Sequence, residues 1–178
     1  KNKGYSFINI GGLAMGMAVA MLIGLWIYDE LEFNKYHKNY NAIARVMRNG
    51  TANGETFTHP SVPYALGDEL KTRHGDIFKH VVTAWHIGDH ILSSGDKNFT
   101  FSGEFFDPAG PEMLDLKMFK GSRAGLKDPH SILLSRSAAD ALFGNEDPMD
   151  KLLRIDNQMD VKVTGVYEDL PYNTEFYG

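Results

Sequence analysis

Between Phe7 and Tyr28 the chain carries 22 residues without one Asp, Glu, Lys, Arg or His. Apart from Asn9, every residue in that stretch is apolar, aromatic or small. Wound as a helix at about 1.5 Å per residue it spans roughly 33 Å, which matches the ~30 Å hydrocarbon core of a bilayer. A buried helix of a small domain rarely needs this length, so the run predicts one transmembrane helix.

The flanks give that helix a direction. Lys1 and Lys3 precede it and Asp29, Glu30 and Glu32 follow it. The excess of basic residues on the cytoplasmic side of membrane proteins then predicts a cytoplasmic N-terminus, with everything after about residue 28 across the membrane. Tyr5 at one end and Trp26 and Tyr28 at the other fall where amphipathic rings favour the headgroup boundary. A cleaved signal peptide is the rival, with Ala18-Val19-Ala20 as its cleavage site. Cleavage there would leave Met21-Leu22-Ile23-Gly24-Leu25-Trp26-Ile27 as an apolar new N-terminus, which favours a retained anchor.

Within the run, Gly12, Gly16, Ala20 and Gly24 recur every fourth residue and form one stripe without bulk. Such a stripe lets a second helix approach closely, so these four residues are a candidate helix-packing seam, with Leu13, Met17, Met21 and Leu25 filling the adjacent stripe. Glycine is also common in membrane helices that pack on nothing in particular. A seam would require at least one further transmembrane helix.

The remaining residues read as a mixed domain. Asp29 to Val46 predicts a continuation of the membrane helix into solvent, from the spacing of Leu31, Phe33, Tyr36, Tyr40, Ile43 and Val46. Asn53-Gly54 between Val46-Met47-Arg48 and Thr56-Phe57-Thr58 predicts a β-hairpin. Tyr64 to His74 predicts a helix stopped by Gly75. Val81 to Leu92 and Asn98 to Phe101 predict two strands joined at Ser93-Ser94-Gly95-Asp96, and Glu104 to Met118 a loop with a short helix. Ile132-Leu133-Leu134, then Ser135 as N-cap, a helix over Arg136 to Phe143 and Gly144 as its stop, predict a strand-turn-helix unit. Leu152 to Ile155 and Asp160 to Tyr167 predict a strand pair. Without regular alternation of strands and helices this is an α+β fold.

Composition and motifs exclude several chemistries. A net charge of −5 with scattered Lys and Arg gives no nucleic-acid footprint. The absence of cysteine rules out disulfides and thiolate-bound metals. No Gly-x-x-x-x-Gly-Lys-Ser/Thr loop is present to cradle ATP phosphates, and no Gly-x-Ser-x-Gly elbow supports a nucleophilic serine. His86 and His90, four apart around Asp89, would share a helix face as metal ligands, but the sequence around them reads as a strand, where they would share a face that is often turned to solvent. Gly67, Asp68, Glu69 and Lys71 read as a solvated helix face. No catalytic, cofactor-binding or metal residue is predicted.

The order of motifs resembles the permease subunits of MacB/FtsX-type ABC transporters, the mechanotransmission class. The opening Asn2-Lys3-Gly4-Tyr5-Ser6-Phe7-Ile8-Asn9-Ile10-Gly11-Gly12-Leu13-Ala14 looks like that family's cytoplasmic lead and first membrane helix. Asp29-Glu30-Leu31, Phe33, Tyr36-His37, Asn39 and Ile43-Ala44-Arg45-Val46 look like its membrane exit, with Ala44 where a tyrosine is usual. Phe105-Phe106-Asp107, Ser131 to Ser135, Ala141 to Pro148 and Val163 to Pro171 look like its periplasmic core domain. Asp150 stands where glycine is usual, and Pro108-Ala109-Gly110-Pro111 is unusual for the family.

The resemblance implies residues 1–28 as lead and first transmembrane helix and 29–178 as the N-terminal part of the periplasmic core domain, stopping inside it. It implies four transmembrane helices per unit and a bacterial inner-membrane location. The expected partners are a cytoplasmic ABC ATPase that holds ATP and Mg, a second permease copy or half, and an adaptor, lipoprotein or hydrolase on the periplasmic side. Asp29 and Glu30 would mark the exit of the coupling helix, a lever transmitting ATP-driven motion outward. The cargo is not legible. The alternative is a single-pass anchored domain that binds or senses a ligand without any transporter.

Overall fold

The computed structural model describes residues 3–176 and, within them, every side chain except those of His86 and Ile87. It begins with a 29-residue helix, α1 (Lys3–Leu31), on which no residue from 3 to 28 is buried. Bare on every side and apolar over Phe7 to Tyr28 apart from Asn9, it satisfies its own backbone hydrogen bonds and is long and apolar enough to cross a bilayer. The predicted span lies wholly inside it.

The predicted continuation to Val46 is not formed. The helix stops at Leu31, turns carry the chain from 32 to 39, and a single 3₁₀ turn follows at Tyr40–Ala42. Asn34 sits just past the stop with φ 63°, a left-handed conformation that ends a right-handed helix and that Asn tolerates better than most residues. Of the apolar residues that suggested a continuous helix, Leu31, Phe33, Tyr36, Tyr40 and Val46 all stay exposed in a bent segment. Ile43 packs on a core cluster built from distant parts of the chain.

Next comes the hairpin β1 (Arg48–Ala52) and β2 (Glu55–His59), paired with Ala52 opposite Glu55. Asn53 and Gly54 have φ 52° and 83°, the two left-handed positions of a two-residue turn that matches strand twist. Helix α2 (Ala65–His74) follows, as predicted.

The main sheet is six-stranded, in the order 97–106, 84–94, 152–155, 159–167 and 118–121, with 131–135 on the other edge of 159–167. Strands β3 (Ala84–Ser94) and β4 (Lys97–Phe106) form a long hairpin around Gly95-Asp96, with a bulge between Trp85 and Gly88. Strand β4 outruns its prediction by five residues because the polar run Ser102-Gly103-Glu104 hides its continuation. Helix α3 (Gly110–Met113) and the four-residue strand β5 (Met118–Gly121) come next, the latter unpredicted. Then β6 (Ser131–Ser135), α4 (Arg136–Phe143), β7 (Leu152–Ile155) and β8 (Met159–Tyr167) close the sheet, with β6 parallel to β8.

Local chemistry explains this last unit. The Ser135 hydroxyl accepts from Ala138 N at 3.3 Å and Asp169 Oδ1 accepts from Ser137 N at 2.9 Å, so two side chains cap the first turn of α4. Gly144, at φ 62°, ends the helix. The buried face of α4, Ala139, Leu142 and Phe143, packs with Leu92, Leu134, Leu153, Val161, Val163 and Val166 of the sheet. Asp150, where the resemblance prefers glycine, takes φ 62° and donates its N–H to Val163 O at 2.9 Å. The left-handed turn is kept and Asp fills it. Gly110 in the unusual Pro-Ala-Gly-Pro run is buried against the Phe106 ring, where a Cβ would come within 1.6 Å. A second cluster gathers Leu114, Leu116 and Leu170 with Ile43, Phe106, Tyr167 and Phe176.

Candidate functional site

At the point where α1 leaves its apolar run, the chain is gripped by residues 172–176, about 140 positions later. Asn34 N donates to Asn173 O at 2.8 Å, and Asn34 Oδ1 accepts from Glu175 N at 2.8 Å and from the Thr174 hydroxyl at 3.0 Å. One turn earlier, Asp29 Oδ1 accepts longer bonds from the Tyr172 hydroxyl at 3.4 Å and Asn173 Nδ2 at 3.5 Å. Arg45 forms an ion pair with Glu175. The end of α1 and the segment after Pro171 are thereby one polar clasp.

His37 is its buried centre, 3% exposed. Its Nδ1 lies 3.2 Å from Leu114 O, so that nitrogen donates, and its Nε2 lies 2.9 Å from Thr174 Oγ1. The ring edges also meet Tyr36 and Phe176. Burial, the larger effect, pushes the imidazole below its usual range, against the pull of the Leu114 carbonyl. The neutral ring then takes its second hydrogen bond from the Thr174 hydroxyl, whose one proton is also wanted by Asn34. The clasp thus reaches from α1 through His37 to Leu114 and the second core cluster. It can carry force or displacement.

Behind Glu175 lies Glu104 on β4, whose carboxyl is pushed up to about 7, first by burial and then by Glu175, with Arg45 opposing. Tyr167 is pushed up to about 12 by burial, with the charges of Asp169 and Glu104 adding to it.

Of the residues singled out from sequence, Gly12, Gly16, Ala20 and Gly24 all lie on α1 at helical spacing, and a Cβ on any of the three glycines would meet nothing within 4 Å. Tyr5, Trp26 and Tyr28 are 65–70% exposed on the same helix. Asp29 enters the clasp; Glu30 is exposed beside it. His90 departs from its expected solvent-facing position: it is 7% exposed and its Nδ1 lies 2.7 Å from Asp156 Oδ2, with its ring against Phe105. The bulge between Trp85 and Gly88 also interrupts the alternation on which a shared face with His86 depended. The His86 side chain is outside the described residues.

Sequence reasoning missed the clasp. Asn34 just beyond an apolar helix and Asn173-Thr174 just beyond Pro171 are turn-forming residues, and that much was readable. Nothing local says that the two turns bind each other.

The fold and its junction define a class: a long bare helix joined to a mixed domain outside it. The profile of the MacB-like periplasmic core domain matches residues 6–178, and the chain belongs to that family. Its one helix, among the described residues, long and apolar enough to cross a membrane, joined to a periplasmic core domain, fits a membrane-anchored protein with an extracytoplasmic domain. Among solved structures, the periplasmic region of MacB from Actinobacillus actinomycetemcomitans is similar at 22% identity and a TM-score of 0.52, covering 69% of this chain and 59% of that one. A domain of a putative permease protein from Porphyromonas gingivalis aligns at 26% identity and a TM-score of 0.44, over 55% of this chain and 41% of that one. The extracellular domain of the noncanonic ABC-type transporter YknZ from Gram-positive bacteria aligns at 19% identity and a TM-score of 0.47, over 57% and 54%. The chain thus spans about half the length of these structures. No curated protein sequence matches it.

Proposed function

We propose that this chain is the membrane subunit of a MacB/FtsX-type ABC transporter and that it passes the closure of a cytoplasmic ATPase to its periplasmic domain. The observation that supports this is the clasp. A helix that merely anchored a domain would need only a flexible tether, whereas here backbone and side-chain bonds from Asn34 and Asp29 tie the end of α1 to residues 172–175. Tilt of α1 would therefore move residues 172–176 and, through His37, Leu114. The lever is short and bent, and its rigidity comes from the clasp rather than from a continuous helix.

In this reading α1 crosses the bacterial inner membrane with its N-terminus in the cytoplasm. ATP and Mg are held by the partner ATPase, and a second permease copy or half packs on the stripe of Gly12, Gly16, Ala20 and Gly24. An adaptor, lipoprotein or hydrolase meets the periplasmic side. Co-purification from the native membrane is expected to bring down an ATPase chain; its consistent absence would leave the single-pass sensor as the better account. In the reconstituted complex, two glycines inserted after Leu31 should leave ATP hydrolysis running but abolish the ATP-driven change in distance between spin labels on exposed Lys38 of two copies. The chain has no cysteine of its own to interfere with labelling. A distance change that survives the insertion removes the clasp from the pathway.

A further inference from the structure

Between the two core clusters lies a partly open cavity of about 430 Å³. At roughly 30 Å³ per water molecule this is space for about fourteen waters, and it falls in the size range of small-ligand sites. Its walls are mainly apolar, with Leu92, Phe101, Leu116, Leu134 and Ile155 among them. One wall carries Glu104, whose Oε2 is buried and has no hydrogen-bond partner among the described residues. Buried carboxylate oxygens are ordinarily paired, because an unpaired one loses its hydration for nothing.

Among the described residues no neighbouring group donates a hydrogen bond to that oxygen. Arg45 is committed to Glu175, and Glu175 repels Glu104. His90 faces Asp156, and the Tyr167 hydroxyl makes no hydrogen bond to Glu104 Oε2. Lys127 and Asp128 both line the cavity and are opposite in sign. We propose that the cavity is a binding site for a small amphipathic cation, an apolar body carrying one protonated amine that pairs with Glu104. An anion would meet Glu104 and Glu175 together, and a purely apolar guest would strand the carboxylate more deeply.

This site has a built-in pH dependence. Glu104 must be ionised to pair with the amine, and with its carboxyl near 7 it is mostly ionised at pH 8 and mostly protonated at pH 5.5. Affinity for the amine therefore falls by roughly 30-fold between those two pH values, from the ratio of ionised fractions.

The test uses the full chain in lipid nanodiscs, with empty nanodiscs subtracted, titrated calorimetrically with phenylbutylamine and with phenylbutanol as its neutral counterpart. The amine should bind saturably and more tightly than the alcohol at pH 8 and should lose most of that advantage at pH 5.5. Glu104→Gln should reduce amine affinity about tenfold or more and flatten its pH dependence, leaving the alcohol unchanged. Gly103→Ile is the second variant: a Cβ there meets only His90 Cδ2 at 3.9 Å, and the larger side chain should occupy the cavity and weaken both probes. Equal binding of the two probes at pH 8, an unaltered amine titration in Glu104→Gln, or no saturable heat with the amine would each overturn the proposal. The readout needs no ATPase, so it stands or falls apart from the transporter reading.

Discussion

The two most apolar parts of this molecule treat their surroundings in opposite ways. In β8 the side chains of Val161, Val163 and Val166 are at most 1% exposed, enclosed by α4 and the neighbouring strands. In α1, Leu13, Met17, Met21 and Leu25 are between 51% and 68% exposed. The same residue chemistry is self-sufficient in one place and incomplete in the other. The sheet and α4 finish their own core, while no described residue of this chain covers the apolar run of α1.

That contrast is sharpest under truncation of a single leucine. Leu142 on α4 is 1% exposed, so Leu142→Ala should destabilise the domain by about 2–5 kcal/mol through lost burial and a residual cavity. Leu25→Ala on α1 should leave the unfolding of the outer domain within about 0.5 kcal/mol of wild type, as for a residue that makes no contact with it. Denaturant unfolding in nanodiscs, followed by a probe in the sheet, measures both. Comparable losses from the two variants would erase the contrast and make α1 part of the domain's folding unit.

The contrast also explains what could be read without coordinates. Phe7 to Tyr28, the Asn53-Gly54 hairpin, and the run from Ile132 through Ser135 to Gly144 each carry their signal within a few residues, because caps, turns and apolar period are local properties. The stop at Leu31 was missed because it is imposed from outside: Asn34 bends the chain where Asn173 and Glu175 hold it. Strand β5 and the far end of β4 were missed for a similar reason. Met118–Gly121 is four residues long and becomes a strand by pairing with β8, and Glu104 sits in a strand although its side chain argues against one. The candidate site was therefore half legible. Asp29 was marked as the first charged residue after the apolar run, but its partners Tyr172 and Asn173 were not.

Between the self-sufficient sheet and the unfinished helix lies the clasp, and its titration should differ in sign from that of the neighbouring cavity. His37 is held below its ordinary value in the fold, so the unfolded chain binds the proton better. Its contribution to stability is present above the unfolded value of about 6.5 and is lost as pH falls through it. Glu104 is held up at about 7, so its penalty on the fold is absent below about 4.5, grows as pH rises, and is complete above 7. His37→Gln should therefore remove a loss of stability seen on going from pH 7.5 to 5.5, and Glu104→Gln should stabilise at pH 8 while changing little at pH 4.5. Urea midpoints across this range separate the two. Parallel pH profiles for both variants would mean that the clasp and the cavity wall are not distinct environments.

The smallest effect on folding should come from the residues most tied to assembly. Gly16 has open space where its Cβ would be, so Gly16→Leu gives no clash within the chain and should leave the unfolding midpoint of the outer domain unchanged. On the seam that we propose, the same leucine would hold a partner helix away by the width of its side chain. Backbones that approach across a small-residue stripe lose their closest packing when one position becomes bulky. Crosslinking in the membrane should then show reduced association, with Leu25→Ala on the adjacent stripe as the milder control. An unchanged crosslinking pattern in Gly16→Leu would remove the seam from the stripe while leaving α1 as an anchor, and would move the search for the second helix to another face.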